Sequence, residues 1–213
     1  MANRFEFIDF GCGNGGSYNF AASCVQGSGF AIDKSEEAVV KCQTLGIQAE
    51  RHDVLSFQQR NVASGSFAIN LLQEMPGFPD FRAALVNIIR ASTHFSLIQH
   101  PYYDKDTQLA LKGIYIPEHF DKKILLKPTI SDYLSFFFLH REALTLSGIG
   151  IFVQGQTETT NLPGVLDPRS NSDVEKTTPK TLRVIIGRKD LSRFRRALYQ
   201  VEAGKPAYLW EMT

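Results

Sequence analysis

The first stretch of this chain in which residue type and spacing point to chemistry is an aspartate followed by glycines, Asp9-Phe10-Gly11-Cys12-Gly13-Asn14-Gly15-Gly16. Phe5 to Phe10 reads as a buried strand, so the glycines follow its carboxyl end directly. Glycine lets a backbone turn sharply and lets a ligand approach the amides at the start of the next helix. The letters Gly11-x-Gly13-x-x-Gly16 also spell the dinucleotide fingerprint, and glycine clusters mark ordinary tight turns as well. The strand, turn and helix context favours a ligand site over a bare turn. Two further acids narrow the choice. Asp33 ends a second strand, where a carboxylate can accept both hydroxyls of a ribose, and Lys34 follows it. Asp53, in His52-Asp53-Val54, ends a third strand, where it can accept from an adenine amino group while Val54 packs on the ring. Taken alone, Asp53 reads equally as a solvated loop residue or a helix cap. Asp9 is out of place beside a pyrophosphate and suits a positively charged ligand.

In open α/β sheets the reacting face lies at the carboxyl ends of the strands. Gln73 and Glu74 follow a fourth strand, and His100, Tyr102 and Tyr103 follow a fifth. His100 is a candidate general base because an unperturbed imidazole titrates close to physiological pH. A packed or capping histidine is the competing reading. His94, His119 and His140 lack ligand spacing, so no metal site is expected. Arg183, Arg188, Lys189, Arg193, Arg195 and Arg196 gather positive charge near the C-terminus. They read as a solvated helix face over Leu191 to Val201, because no aromatic platform for nucleic acid accompanies them.

The elements that position these residues alternate between strand and helix. Strands are predicted at Phe5–Phe10, Gly29–Asp33, Ile47–Val54, Phe67–Leu72 and His94–Gln99. Helices are predicted at Tyr18–Gln26 with Ser17 as N-cap, after Ser35, and at Asp80–Arg90. Such alternation requires βαβ crossovers and a parallel sheet. A helix over Ser131–Leu146, stopped by Gly148, precedes two closing strands at Gly150–Gly155 and Leu182–Gly187. Residues 101–130 read as an insert on the substrate side, and 156–181 as an exposed loop. Phe136-Phe137-Phe138 reads as core.

The whole chain of 213 residues fits one domain, with 43% hydrophobic and 21% charged residues. A formal net charge of +1 gives no general attraction to nucleic acid or to an anionic membrane. The start lacks the apolar core of a signal peptide, and no apolar run approaches the roughly 20 residues that cross a bilayer. Three cysteines, Cys12, Cys24 and Cys42, form no C-x-x-C pair, which suits a reducing, cytoplasmic setting. Neither a nucleic-acid nor a membrane partner is expected, and oligomerisation stays open.

Asp9-Phe-Gly-Cys-Gly-Asn-Gly15 resembles the first motif of class I S-adenosylmethionine-dependent methyltransferases, D/E-x-G-x-G-x-G. Ala31-Ile-Asp33-Lys-Ser and Glu50-Arg-His-Asp53-Val resemble the second and third. Phe67 to Glu74, Pro79-Asp80, Ala83 to Arg90 and Glu142 to Phe152 are similar to later elements of the small-molecule subgroup. The resemblance implies a Rossmann-like, doubly wound α/β fold: a mostly parallel seven-stranded sheet with an antiparallel last strand. It implies S-adenosylmethionine held by Asp9, Gly11, Cys12, Gly13, Gly15, Asp33, Lys34, Asp53, Val54 and Gln73. His100, Glu74 and Tyr102 are the candidate catalytic residues, and a small-molecule or sugar-like acceptor is the expected substrate. The family commonly has helices ahead of the first strand, and here four residues precede Phe5. The family also often has a histidine shortly after the fourth strand, where this chain offers Phe78. An NAD-dependent oxidoreductase, disfavoured by Asp9, and a catalytically silent cofactor- or partner-binding domain remain as alternatives.

Overall fold

The computed structural model describes residues 5–104, 106, 123–157, 177–188 and 208–211. Strand β1 (Phe5–Phe10) is buried along nearly its whole length, as a central parallel strand must be. It pairs in parallel with β2 (Gly29–Asp33) on one side and β4 (Ala63–Ile69) on the other. Strand β3 (Ala49–Arg51) extends β2, and β5 (Ser92–Pro101) extends β4, both in parallel. Strand β7 (Thr177–Gly187) enters antiparallel between β5 and β6 (Gly148–Thr157). The order is β3-β2-β1-β4-β5-β7-β6-β8, the expected seven strands plus an edge strand β8 (Tyr208–Glu211) antiparallel to β6.

Helices α1 (Gly16–Cys24), α2 (Glu36–Thr44), α3 (Phe78–Ala91) and α4 (Ile130–His140) cover the sheet. Side chains alternate across a strand, so β1 feeds two cores. Ile8 and Phe10 join Phe81, Leu85 and Ile88 of α3 and Tyr133 and Phe137 of α4. Phe7 joins Ala21 and Cys24 of α1 with Phe67, Phe95 and Leu97. Asp9 shares the face of Phe7 and is fully buried. A third cluster, Cys12, Ala31, Val39, Cys42, Ile47 and Ala49, supports the glycine turn from below. No helix among the described residues is long and apolar enough to cross a membrane.

Several boundaries differ from the sequence expectation for identifiable reasons. The third strand ends at Arg51, because the Asp53 carboxylate accepts the Leu55 N–H at 2.9 Å and turns the chain out of the sheet. The fourth begins at Ala63, since Ala63-Ser64-Gly65-Ser66 is buried by its neighbours and not by its own apolarity. Its exit comes at Asn70, which takes a positive φ of 54°. Helix α4 stops at His140, and Thr145 with φ 56° reverses the chain into Leu146. Gly148 therefore opens β6 and does not cap a helix. Strands β6 and β7 run on to Thr157 and back from Thr177, into the span expected to be loop. Phe136 and Phe137 are buried, whereas Phe138 is exposed. The basic residues Lys189, Arg193, Arg195 and Arg196 lie outside the described residues, as does the expected helix over Leu191 to Val201.

Candidate cofactor and acceptor site

Three consecutive odd-numbered glycines shape the turn after β1. Gly11, Gly13 and Gly15 have φ of 74°, 51° and 87°, a left-handed region that a side chain disfavours. Gly11 and Cys12 donate their N–H groups to the Ile32 carbonyl at 2.8 and 3.2 Å, which ties the turn to β2. Gly15 occupies the N-cap position of α1, and its N–H donates to the Cys12 carbonyl at 2.8 Å. A Cβ at Gly11 would approach Leu71 to 2.9 Å, whereas one at Gly13 would meet nothing within 4 Å. The turn is packed at its base and open at its tip.

The acids flank that tip unequally. Asp33 accepts the Gly13 N–H at 3.0 Å with Oδ2 and the Ser35 N–H at 2.9 Å with Oδ1. It holds the turn in place and keeps lone pairs on both oxygens. Asp9 is sealed beneath. Its Oδ2 accepts the Ser17 hydroxyl at 2.6 Å, and its Oδ1 is buried without a hydrogen-bond partner among the described residues. Burial pushes the Asp9 carboxyl up to about 7, opposed by the Ser17 hydrogen bond and reinforced by the Asp33 charge. Ser17, expected to cap α1, sits inside its first turn and serves Asp9 instead.

On the far side of β2, Lys34 is exposed, and its carbonyl accepts Arg51 Nε at 3.1 Å. Asp53 is exposed and organises the turn 53–56 through the Leu55 and Ser56 N–H groups. Val54 is buried at its centre. Asn87 of α3 donates Nδ2 to the Val54 and Leu55 carbonyls at 2.8 and 3.0 Å. No local signal around Asn87 marks it for this task. Gly13 and Asp33 are thus joined by a direct hydrogen bond, Cys12 is tied to the end of β2 through Ile32, and Asp53 and Val54 lie on the turn after β3.

The carboxyl ends of β4 and β5 present a different chemistry. The segment Leu72–Glu74 forms a short 3-10 turn that buries Gln73 and half-buries Glu74. The Gln73 carbonyl accepts the Leu125 and Leu126 N–H groups, and its buried side-chain Oε1 has no partner among the described residues. His100 is only 1% exposed. Its Nδ1 lies 2.7 Å from the Pro101 carbonyl, which can only accept, so Nδ1 carries the proton. Nε2 then accepts the Tyr133 hydroxyl at 2.8 Å. Burial pushes the imidazole down to about 4, and Tyr103 and Tyr133 stack against it. Neither ring nitrogen has a lone pair left for a substrate proton, so the candidate base is held as a packed, neutral histidine.

Tyr102 is half-buried nearby, and burial with the Asp104 charge raises its hydroxyl above the usual range. The ends of the insert are anchored to this cluster. Asp104 accepts the Ile130 N–H at the start of α4. Lys127 pairs with Asp106 at 2.7 Å and lies over the Tyr103 ring. Residues 107–122, with Tyr115 and His119, lie outside the described residues. Phe78 is 42% exposed at the start of α3.

No family model matches the chain, and no curated protein sequence matches it. Solved structures do. A SAM-dependent methyltransferase from Archaeoglobus fulgidus is similar at a TM-score of 0.62 and 12% identity, covering 85% of each chain. One from Methanosarcina mazei gives 0.59 and 13%, covering 88% of this chain and 93% of that one. Magnesium protoporphyrin IX methyltransferase from Synechocystis, solved with bound SAH, gives 0.56 and 12%, covering 88% and 75%. At such identities the likeness is one of fold: this chain has the fold of class I methyltransferases.

Proposed function

We propose that this chain binds S-adenosylmethionine at the glycine turn and transfers its methyl group to a small-molecule or sugar-like acceptor. The observation that carries the reading is the buried Asp9 carboxyl, with one oxygen unpaired among the described residues, under a glycine turn clamped through Gly13 by Asp33. A buried acid held near neutrality is suited to a cationic ligand, whose charge favours its ionised form. The antiparallel β7 between β5 and β6 also departs from the all-parallel dinucleotide arrangement, which weighs against the NAD alternative.

Each residue has a stated part. Asp9 and the Gly11–Gly15 backbone face the methionine end, with Cys12 inside the turn. Asp33 offers its remaining lone pairs to the ribose hydroxyls. Lys34 borders the ribose, Val54 and Asp53 take the adenine, and Gln73 closes the pocket from β4. S-adenosylmethionine, when bound, supplies an electrophilic methyl on a sulfonium. The chain's own contribution is positioning and exclusion of water, with no buried base required unless the acceptor must lose a proton. His100 then acts by holding Tyr133 and Tyr103 in place, and Tyr102 and Glu74 are the groups left to meet an acceptor. The described ends of the 101–130 span border that acceptor site. Free thiols at Cys12, Cys24 and Cys42 fit a cytoplasmic, reducing location.

Isothermal titration with S-adenosylmethionine, S-adenosylhomocysteine and NADH tests the ligand. Binding of the first two and not the third is expected, and binding of NADH alone would overturn the reading. Production of S-adenosylhomocysteine on a panel of small acceptors then separates an active enzyme from a silent domain.

A further inference from the structure

Beside the glycine turn lies a pair of thiols whose mutual contact the cofactor reading leaves without a role, although it places Cys12 inside the turn. Cys12 lies between Gly11 and Gly13, and Cys42 lies on the buried face of α2. The Cys42 thiol donates toward Cys12 Sγ at 3.1 Å, and Cys42 Sγ is 3.8 Å from the Gly13 carbonyl. Both are reduced and buried within one apolar cluster, whereas Cys24 belongs to the core beneath α1. A disulfide needs its sulfurs at about 2.05 Å. The gap to be closed is about an ångström, between an α-helix and a turn of left-handed glycines that can absorb the shift.

The geometry points to Cys12 and Cys42 as an oxidisable dithiol whose disulfide couples redox state to the cofactor turn. The oxidant has to be small and neutral to reach buried sulfur, and hydrogen peroxide meets both conditions. One thiol attacks the peroxide O–O bond, giving a sulfenic acid and water. The second thiol then attacks that sulfur, forming the S–S bond and releasing another water. Overall two thiols and one peroxide give one disulfide and two waters. Burial, Cys42 and the charges of Asp33 and Asp9 all raise the Cys12 thiol. Reaction therefore proceeds through excursions of the turn that uncover Cys12.

Forming the bond draws the turn toward α2 and strains the Gly13 N–H contact with Asp33. Oxidation thus weakens cofactor binding, and by reciprocity bound cofactor disfavours the disulfide at equilibrium. This coupling rests on the cofactor reading above. Formation of the disulfide does not.

The test treats the reduced full chain with hydrogen peroxide and maps its peptides without reductant. A linked Cys12–Cys42 peptide, two hydrogens lighter and restored by dithiothreitol, is expected in wild type and in Cys24→Ser. It is expected to be absent in Cys42→Ser and Cys42→Ala. Sulfinic or sulfonic acid at either position without the linked peptide, or two thiols that persist while Cys24 oxidises, overturns the proposal. Titration of S-adenosylmethionine into both forms reads the coupling: at least a tenfold weaker affinity after oxidation is expected, and equal affinity removes it. If the reduced protein binds no S-adenosylmethionine at all, the cofactor reading and the coupling fail, while the linked peptide still decides the disulfide.

Discussion

The glycine turn after β1 and the His100 cluster after β5 lie on the same edge of one sheet and treat their polar groups in opposite ways. At the turn, Asp9 retains a buried oxygen with no partner among the described residues, and Asp33 retains spare lone pairs. At the cluster, both nitrogens of His100 are consumed by Pro101 and Tyr133. An unsatisfied buried acceptor costs about 1–3 kcal/mol, a cost that Asp9 carries and the His100 ring does not. The spare acceptors at the turn are what the proposed ligand would engage, whereas the His100 ring offers it none.

The largest expected effect is on acid and base stability. Asp9 keeps its proton in the folded chain to about pH 7 but ionises near its ordinary 3.8 when unfolded. Between those values the native state holds the extra proton, so stability falls as pH rises. His100 has the reverse sign: it titrates at about 4 folded and at its ordinary 6.5 unfolded, so stability rises with pH across that window. In the native chain the two slopes oppose one another. Asp9→Asn removes the first, and its stability relative to wild type should climb by about 3–5 kcal/mol between pH 4 and 7. Denaturant unfolding at a series of pH values measures it, and a flat difference would mean that Asp9 is not a buried neutral acid. The same group predicts that affinity for S-adenosylmethionine rises from pH 6 to 8 in wild type and stays level in Asp9→Asn.

Asp33→Ala comes next. It removes acceptors for the Gly13 and Ser35 N–H groups and for the ribose, each charged hydrogen bond contributing about 1.5–3 kcal/mol. Calorimetry should show at least a tenfold loss of affinity with the fold intact by circular dichroism. Unchanged affinity would take Asp33 out of the site.

Tyr133→Phe probes the other region. It strands Nε2 of a buried histidine and should lower unfolding stability by about 1–3 kcal/mol, with cofactor affinity unaltered. A large change in affinity with no change in stability would reverse the roles assigned to the two regions.

The contrast also explains what could be read from the amino-acid order. The turn is local: Asp9, three glycines and Asp33 at the end of β2 announce themselves by residue type and position. So do strands β1 and β2, whose apolar-rich segments, each followed by a turn signal, match their observed bounds. The cluster is tertiary. His100 meets Tyr133 across 33 positions, and nothing near either residue reports the other. Ser17 shows the limit of local rules, since its type and place suit an N-cap while Asp9 claims its hydroxyl. Strand β4 escaped full detection because its first residues are small, and β8 because an edge strand of four residues carries little pattern.

The smallest expected effect falls beyond the glycine turn, where Asn87 of α3 reaches across to the turn 53–56. Its amide donates to the Val54 and Leu55 carbonyls, and those bonds hold Val54 where an adenine ring would pack. Each such neutral bond contributes about 0.5–1.5 kcal/mol net, and carbonyls at a surface turn can turn to water when the donor goes. Asn87→Ala should therefore weaken S-adenosylmethionine by a few-fold. The loss should disappear for a ligand without the adenine, because the ribose and methionine contacts proposed for Asp33 and Asp9 would be untouched. Comparing the variant's affinity for S-adenosylhomocysteine and for homocysteine-free adenosine sharpens the point, since both carry adenine and both should lose the same factor. A loss confined to S-adenosylhomocysteine would move Asn87's influence from the adenine turn to the methionine end, and with it the boundary between the two regions.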